Sequence, residues 1–273
     1  MTQLVEVFDF IVSQLDISGQ VDVIYLDMSK AFDKVSHCKS LRKLRDYGFG
    51  GKLLAWLESC LFDRMQRGSV FGVNSQALPG SPGVPQRSIL GPMLYLLYAN
   101  SLPGTVKSSH VAAFADDTKI FNSTKSPTDV ALLQDDLSNL ATWSSLAGLM
   151  FNESKSKAQR ITRRHNPVSN MYHINEVPLG VTSAERDLGV IISDKLSWSK
   201  QVCDQCAKSN KMLGFVKRNT RSIKSASVRR VIYLTLVRSH FSPQSKELIR
   251  KTTDSTPGYK ILPQLAFPLR GIL

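Results

Sequence analysis

Apolar residues recur at helical spacing through Leu4, Val7, Phe8, Ile11 and Leu15, which predicts a helix over 4–18 stopped by Gly19. Residues 21–26 (Val-Asp-Val-Ile-Tyr-Leu) then form a β-rich run, read as a buried strand that delivers Asp27 at its C-terminal end. Ser36 caps a predicted helix over 37–47, with Leu41 and Leu44 inward and Gly48 as the stop. A short helix over 52–61, a strand over 66–73 and a Gly/Pro-rich loop over 78–85 come next. Residues 89–97 are apolar on most faces and read as a buried helix. Val111 to Phe114 runs into Asp116-Asp117 and out through Ile120-Phe121, the pattern of a hairpin with two carboxylates at its tip. Residues 127–146 carry Val130, Leu133, Leu137, Leu140 and Trp143 on one stripe, an amphipathic helix.

Beyond it the pattern gives short strand-like pieces at 150–151, 159–161, 172–174 and 188–192, then two helices over 199–218 and 225–239. Periodicity fades after Phe241, where Pro243, Pro257, Pro263 and Pro268 punctuate an irregular tail over 241–273. The order of elements suits an α+β layer with a ferredoxin-like antiparallel sheet, followed by a helical module.

Charge changes the picture once it is divided. Residues 1–150 hold 13 Lys and Arg against 14 Asp and Glu, while residues 151–273 hold 22 against 8. The positive excess therefore lies wholly in the second half, on helices carrying Lys208, Lys211, Lys217, Arg218, Arg229 and Arg230. An acidic site beside an element that holds a polyanion fits that division.

Other chemistries fall away. No apolar run is long enough for a bilayer, and the acidic start does not read as a signal peptide, so an intracellular protein without a membrane partner is expected. Four cysteines make no disulfide framework, and Cys203-x-x-Cys206 has no second pair of ligands, so zinc is not expected. The histidines show no ligand spacing, and Ser29 and Ser88 have no recognisable His–Asp partnership. What remains is Asp27 at a strand end and Asp116/Asp117 at a hairpin tip predicted to join the same sheet. Converging carboxylates call for divalent cations, and oxygen-only ligands point to Mg²⁺ or Mn²⁺. Neighbouring strand residues face opposite ways, so one of the paired acids shares the metals of Asp27, and Asp116 is favoured.

Residues 23–33 (Val-Ile-Tyr-Leu-Asp-Met-Ser-Lys-Ala-Phe-Asp), 83–92 (Gly-Val-Pro-Gln-Arg-Ser-Ile-Leu-Gly-Pro) and 114–117 (Phe-Ala-Asp-Asp) resemble successive motifs of reverse transcriptases. The likeness is to the non-long-terminal-repeat (LINE-type) retrotransposon family. It extends through residues 149–155, 187–190 and 196–198, covering roughly residues 1–240 in the family's order. The resemblance implies a right-hand polymerase, with a palm over 21–198, a basic helical thumb fragment over 199–240, and a remnant of the fingers in residues 1–20. It implies an RNA-directed DNA polymerase that adds dNTPs to a DNA 3′-hydroxyl on an RNA template with two metal ions, acting in the nucleus and otherwise cytoplasmic. Asp27 and Asp116 would hold the ions with Asp117 in support. Phe32 would lie under the incoming sugar and exclude a 2′-hydroxyl. Pro85, Gln86, Arg87 and Ser88 would grip template and nucleotide, Lys155 would be a proton donor to pyrophosphate, and the basic helices would hold the RNA–DNA hybrid. Three features depart from the pattern: Arg87 stands where the family has glycine, few residues precede Asp27, and the sequence after His240 is altered. They favour, as the alternative, a nucleic-acid-binding remnant of a degraded element copy that does not polymerise.

Overall fold

The computed structural model describes residues 2–240 except Ser18, Asp63 and Ser81. The chain divides into two compact units: residues 20–160 with 165–181, and residues 1–19 with 161–164 and those from 182 onward. The expected irregular tail, 241–273, lies outside the described residues.

Helix α1 (Thr2–Asp16) opens the chain and buries Leu4, Val7, Phe8, Ile11 and Leu15, the stripe its spacing predicts. Gly19 follows where an added Cβ would lie 2.4 Å from the Gln14 carbonyl oxygen, so only glycine lets the chain leave the helix this closely. Strand β1 (Gln20–Leu26) is buried along almost its whole length, which explains its nearly unbroken apolar run. Asp22 is the buried acid within it. Its carboxylate accepts from Tyr172 Oη at 2.7 Å and Gln20 Nε2 at 3.0 Å, with Arg160 Nε at 3.7 Å. Burial nevertheless pushes Asp22 above the usual carboxylate range.

Helices α2 (His37–Asp46) and α3 (Gly51–Leu61) follow as expected, with the Ser36 side chain capping the first. The expected strand over 66–73 is instead a folded-back ribbon. Strands β2 (Met65–Gln66) and β5 (Leu78–Pro79) pair at its base, and β3 (Ser69–Val70) pairs with β4 (Val73–Asn74) at its tip. The turn residues Phe71 and Gly72 both have positive φ (50° and 83°), so the chain reverses inside a run whose residue types read as extended.

Helix α4 (Leu90–Ala99) corrects a second expectation. It buries Leu94, Tyr95 and Tyr98 but leaves Met93 and Leu96 exposed, as is Ile89 just before it, so one face is packed rather than all. Strands β6 (His110–Phe114) and β7 (Asp117–Ser123) form the predicted acidic hairpin. Helix α5 (Pro127–Ala147) begins in a reciprocal Ser126/Asp129 capping box with Pro127 in its first turn, and ends at Gly148 with φ +76°. Its stripe Val130, Leu133, Leu137 and Leu140 enters a core shared with Ile24, Leu26, Ile120, Tyr95 and Tyr98.

Strand β8 (Lys157–Thr162) joins the main sheet. Strands β9 (His173–Ile174) and β10 (Val177–Pro178) make a small hairpin, and β11 (Gly180–Thr182) closes the five-stranded order β11-β8-β1-β7-β6. The pairs β1–β7 and β7–β6 are antiparallel. Residues 150–151 contribute one isolated bridge, Met28 to Phe151, rather than a strand. In the other unit, β12 (Ala184–Asp187) and β13 (Val190–Ser193) form a hairpin followed by α6 (Ser199–Asn219) and α7 (Ala226–Ile232). The helix expected over 225–239 is shorter than predicted. It gives way to a π-helical stretch, Tyr233–Val237, and a 3-10 turn, Arg238–His240.

Candidate active site

Asp27 follows the last residue of β1, and the segment around Phe151 holds its backbone. Asn152 N–H donates to the Asp27 carbonyl at 2.7 Å, Ser29 N–H to the Met150 carbonyl at 3.0 Å, and Asp27 N–H to Ser156 Oγ at 3.3 Å. The same segment carries Lys155, whose Nζ lies 3.6 Å from Asp27 Oδ2 with both side chains partly in water. An ion pair so exposed contributes little stability. Its effect is to set a cation beside the carboxylate.

The hairpin acids come from the neighbouring strand. Phe114 pairs with Asp117, so Ala115 and Asp116 form a two-residue turn. Ala115 has φ +54° and Asp116 does not share it, the pattern of a II′-type reversal that usually takes glycine first. In the β1–β7 ladder Leu26 faces Thr118. Asp27 directly follows Leu26 and Asp117 directly precedes Thr118, so the ladder ends one residue short of both acids. Asp116 and Asp117 are both exposed.

Tyr95 links the turn to Phe32. Its hydroxyl donates to Met28 Sδ at 3.1 Å, and its ring stacks on Phe32 with centroids 4.7 Å apart. Burial first, and the nearby charge of Asp116 second, push the Tyr95 phenol far above its ordinary value. Tyr95 therefore stays a neutral donor. In the sequence it is one residue of the apolar run over 89–97, with nothing to single it out.

The loop after β5 is fastened to the Phe32–Asp33 turn. Val84 N–H donates to the Phe32 carbonyl at 2.9 Å, and Gln86 Nε2 donates to Asp33 Oδ1 at 2.7 Å. Gly83 has φ +92°, and a Cβ there would lie 2.3 Å from the Phe32 oxygen, so the close approach requires glycine. The Gly83 carbonyl accepts from His37 Nε2 at 2.7 Å and Arg64 Nη2 at 2.8 Å. Ser88 Oγ bridges Pro85 O at 2.7 Å and Gly91 N–H at 2.9 Å. Arg87, between these two fastenings, is exposed and has φ +58°. Asp33, His37 and Arg64 were missed as parts of this loop's support. Asp33 alone had a signal, its place in the motif that begins at Val23.

Among the described residues no group of three or more His, Cys, Asp or Glu side chains could by itself hold a metal ion. The oxygen donors of Asp27 and the hairpin acids still fit magnesium, which is usually held by one or two carboxylates together with water and substrate phosphates.

The basic helices belong to the other compact unit. Residues 205–240 contain nine Lys and Arg and no acid. Lys211, Lys217, Arg218 and Arg230 are exposed. Lys208 Nζ lies 2.9 Å from Asp204, which also receives Arg186 at 3.2 Å. These bonds, Lys208 first, hold Asp204 below the usual carboxylate range. Arg229 Nε donates to the Ile223 carbonyl at 2.6 Å. Two of the six predicted backbone-holding cations thus already have protein partners. Cys203 and Cys206 lie on α6 as free thiols, and no described helix is long and apolar enough to cross a membrane.

Residues 8–216 match the family described as reverse transcriptase (RNA-dependent DNA polymerase). Among curated proteins of Drosophila melanogaster, the chain is 30% identical over 210 residues to the probable RNA-directed DNA polymerase from transposon X-element, covering 74% of this chain and 23% of that protein. It is 27% identical to the corresponding protein of transposon BS, with 83% and 26% covered. It is also 27% identical to the RNA-directed DNA polymerase from mobile element jockey, with 73% and 22% covered. The chain therefore spans about a quarter of the length of these relatives. Among solved structures, telomerase from Candida tropicalis in complex with a fragment of telomeric RNA superposes with a TM-score of 0.51 at 13% identity, covering 92% of this chain and 41% of that one. That likeness is one of fold, a palm-like α+β layer.

Proposed function

The chain belongs to the reverse transcriptase family, and from that premise we propose that it is the polymerising core of a non-long-terminal-repeat element, adding dNTPs to a DNA primer on an RNA template. The observation that carries this reading is the register of β1 against β7, whose last pair, Leu26 with Thr118, lies one residue before Asp27 on one strand and one residue after Asp117 on the other. Asp27 and Asp116 would hold two Mg²⁺ or Mn²⁺ ions with Asp117 in support, and such ions, when bound, lower the pKa of the attacking 3′-hydroxyl and neutralise the departing pyrophosphate. Phe32, stacked on Tyr95, would present a ring edge under the sugar and exclude a 2′-hydroxyl. The Pro85–Ser88 loop would line the template and the incoming base, and Lys155 would deliver a proton to pyrophosphate. In this reading residues 21–198 are the palm, 199–240 belong to a thumb, and 1–20 derive from the fingers. Lys211, Lys217, Arg218 and Arg230 would hold hybrid phosphates without reading sequence, with Lys208 and Arg229 in lesser roles.

Arg87 favours a second reading, in which the chain binds nucleic acid but does not extend a primer. Arg87 is a long cation in left-handed backbone, and in a loop that grips template and nucleotide it would crowd both.

Primer extension on an RNA template with Mg²⁺ tests both readings, using this chain, Arg87→Gly and Asp116→Asn. Extension by the chain and by Arg87→Gly, abolished in Asp116→Asn, is the expected result. Extension that survives Asp116→Asn overturns the site. Silence in all three, with hybrid binding intact, leaves the binding reading.

A further inference from the structure

Between β5 and α4, no described residue from Gly80 to Ile89 belongs to a helix or strand, so point contacts set the path of the loop. Two of those contacts converge on one atom. Gly83 is buried, and its carbonyl accepts from His37 Nε2 at 2.7 Å and from Arg64 Nη2 at 2.8 Å. A carbonyl oxygen can only accept, so His37 carries a proton on Nε2. Each donor is itself aimed. His37 opens α2 behind the Ser36 cap, and its ring meets Phe62 edge-on with centroids 5.2 Å apart. Arg64 follows α3. Its Nε donates to the Leu61 carbonyl at 3.2 Å, and its own carbonyl accepts from Gly80 N–H at 2.6 Å.

Gly83 also meets the turn that carries Phe32. An added Cβ would lie 2.3 Å from Phe32 O and 2.6 Å from Asp33 Cα, and the next amide, Val84 N–H, donates to Phe32 O at 2.9 Å. The Phe32 ring is held from α4 by its stack on Tyr95. Gly83 is therefore where the loop bearing Pro85 to Ser88 touches the residue proposed to lie under the sugar. Satisfying a buried carbonyl takes one donor, and this one has two from different elements. Loss of either leaves the carbonyl paired. Loss of both leaves a buried acceptor unpaired, which is the costly case.

We propose that His37 and Arg64 are positioning residues for sugar selection, sharing the Gly83 carbonyl and so fixing how closely the Pro85–Ser88 loop and the Phe32 turn confine the incoming nucleotide. Neither side chain touches the nucleotide in this role, and both act through Gly83. The proposal rests on the polymerase reading, and its test keeps the two apart.

The test measures nucleotide binding without turnover. The full chain, Mg²⁺ and an RNA template carrying a dideoxy-terminated DNA primer are equilibrated with dUTP or UTP, which differ only in the 2′-hydroxyl. The same titrations use His37→Leu, Arg64→Met, the double variant and Asp116→Asn. Leucine and methionine keep side-chain bulk while removing the donors, and circular dichroism checks that each variant is folded. The ratio of dUTP to UTP affinity should fall by about twofold at most in either single variant, and about tenfold or more in the double one. Arg64→Met combined with His37→Gln, which returns an N–H donor, should match Arg64→Met alone. Hydrogen exchange at the Val84 amide should quicken in the double variant, while amides of β1 and α5 keep their rates. An unchanged ratio in the double variant, even with Val84 loosened, overturns the proposal and leaves the bonds merely structural. So does a single variant that loses as much as the double, because the carbonyl would then not be shared. Failure of the unaltered chain to bind either nucleotide, or binding that survives Asp116→Asn, overturns the polymerase reading and the positioning role with it.

Discussion

A left-handed backbone is easy for glycine and costs other L-residues about 1–2 kcal/mol, so the φ of +58° at Arg87 is a local strain in a loop fastened on both sides. Gln86 is held by Asp33 and Ser88 by Pro85, so the strained residue lies between two fastened neighbours. Arg87→Gly should therefore raise stability by roughly 0.5–1 kcal/mol, the relieved strain less the entropy glycine adds to the unfolded chain. A urea midpoint that rises at constant slope is the expected result, and a fall would mean that the side chain makes a contact worth more than the strain. The family pattern marked residue 87 as a departure. The physical reason, a φ that most side chains avoid, became visible only in the backbone. Gly83 is the complementary case, where positive φ coincides with no room for a Cβ at all.

At the scale of elements, the hairpin carrying Asp116 is held from behind by Asp136 of α5. Its buried carboxylate accepts N–H bonds from Lys107 at 2.8 Å, Ser108 at 2.9 Å and Ser109 at 2.8 Å, just before β6 begins. Burial pushes this acid upward, but the three backbone donors pull harder and leave it below its ordinary 3.8. A carboxyl depressed on folding stabilises above its unfolded value and loses that contribution as pH falls through its folded one. Asp136→Asn should thus cost about 2–3 kcal/mol at neutral pH, because an amide cannot accept from all three donors. The deficit should shrink as pH drops below 3.8 in urea titrations. A deficit independent of pH would assign the loss to packing. Elements with one strong signal were legible in advance: the apolar stripe of α5, the apolar run of β1 and the acidic hairpin. The ribbon was not, because Val70-Phe71-Gly72-Val73 is rich in strand-forming residues and its reversal depends on a phenylalanine at positive φ. The helix α4 misled for a different reason. Apolar composition cannot say which face is packed, and Ile89, Met93 and Leu96 face water.

Over the whole chain, charge was the most legible property and the least complete. Residues 205–240 hold nine cations and no acid, yet the structure removes some of them from service. Lys208 is drawn to Asp204, and Arg229 is tied to its own backbone. The cations free to meet phosphate are better represented by Lys217 and Arg230, both exposed. Each phosphate contact contributes a slope of about −0.7 to −0.9 to the dependence of log affinity on log salt. Reversing Lys217 and Arg230 to Glu should therefore flatten that slope by roughly 1.5–2, weaken all hybrid sequences alike, and leave stability within about 0.5 kcal/mol. Arg229→Glu should behave otherwise, lowering the thermal midpoint through its lost bond to Ile223 while changing the salt slope less. A slope unmoved by the Lys217 and Arg230 reversals, with the fold intact, would take these helices out of hybrid binding and leave the positive half of the chain without its proposed role.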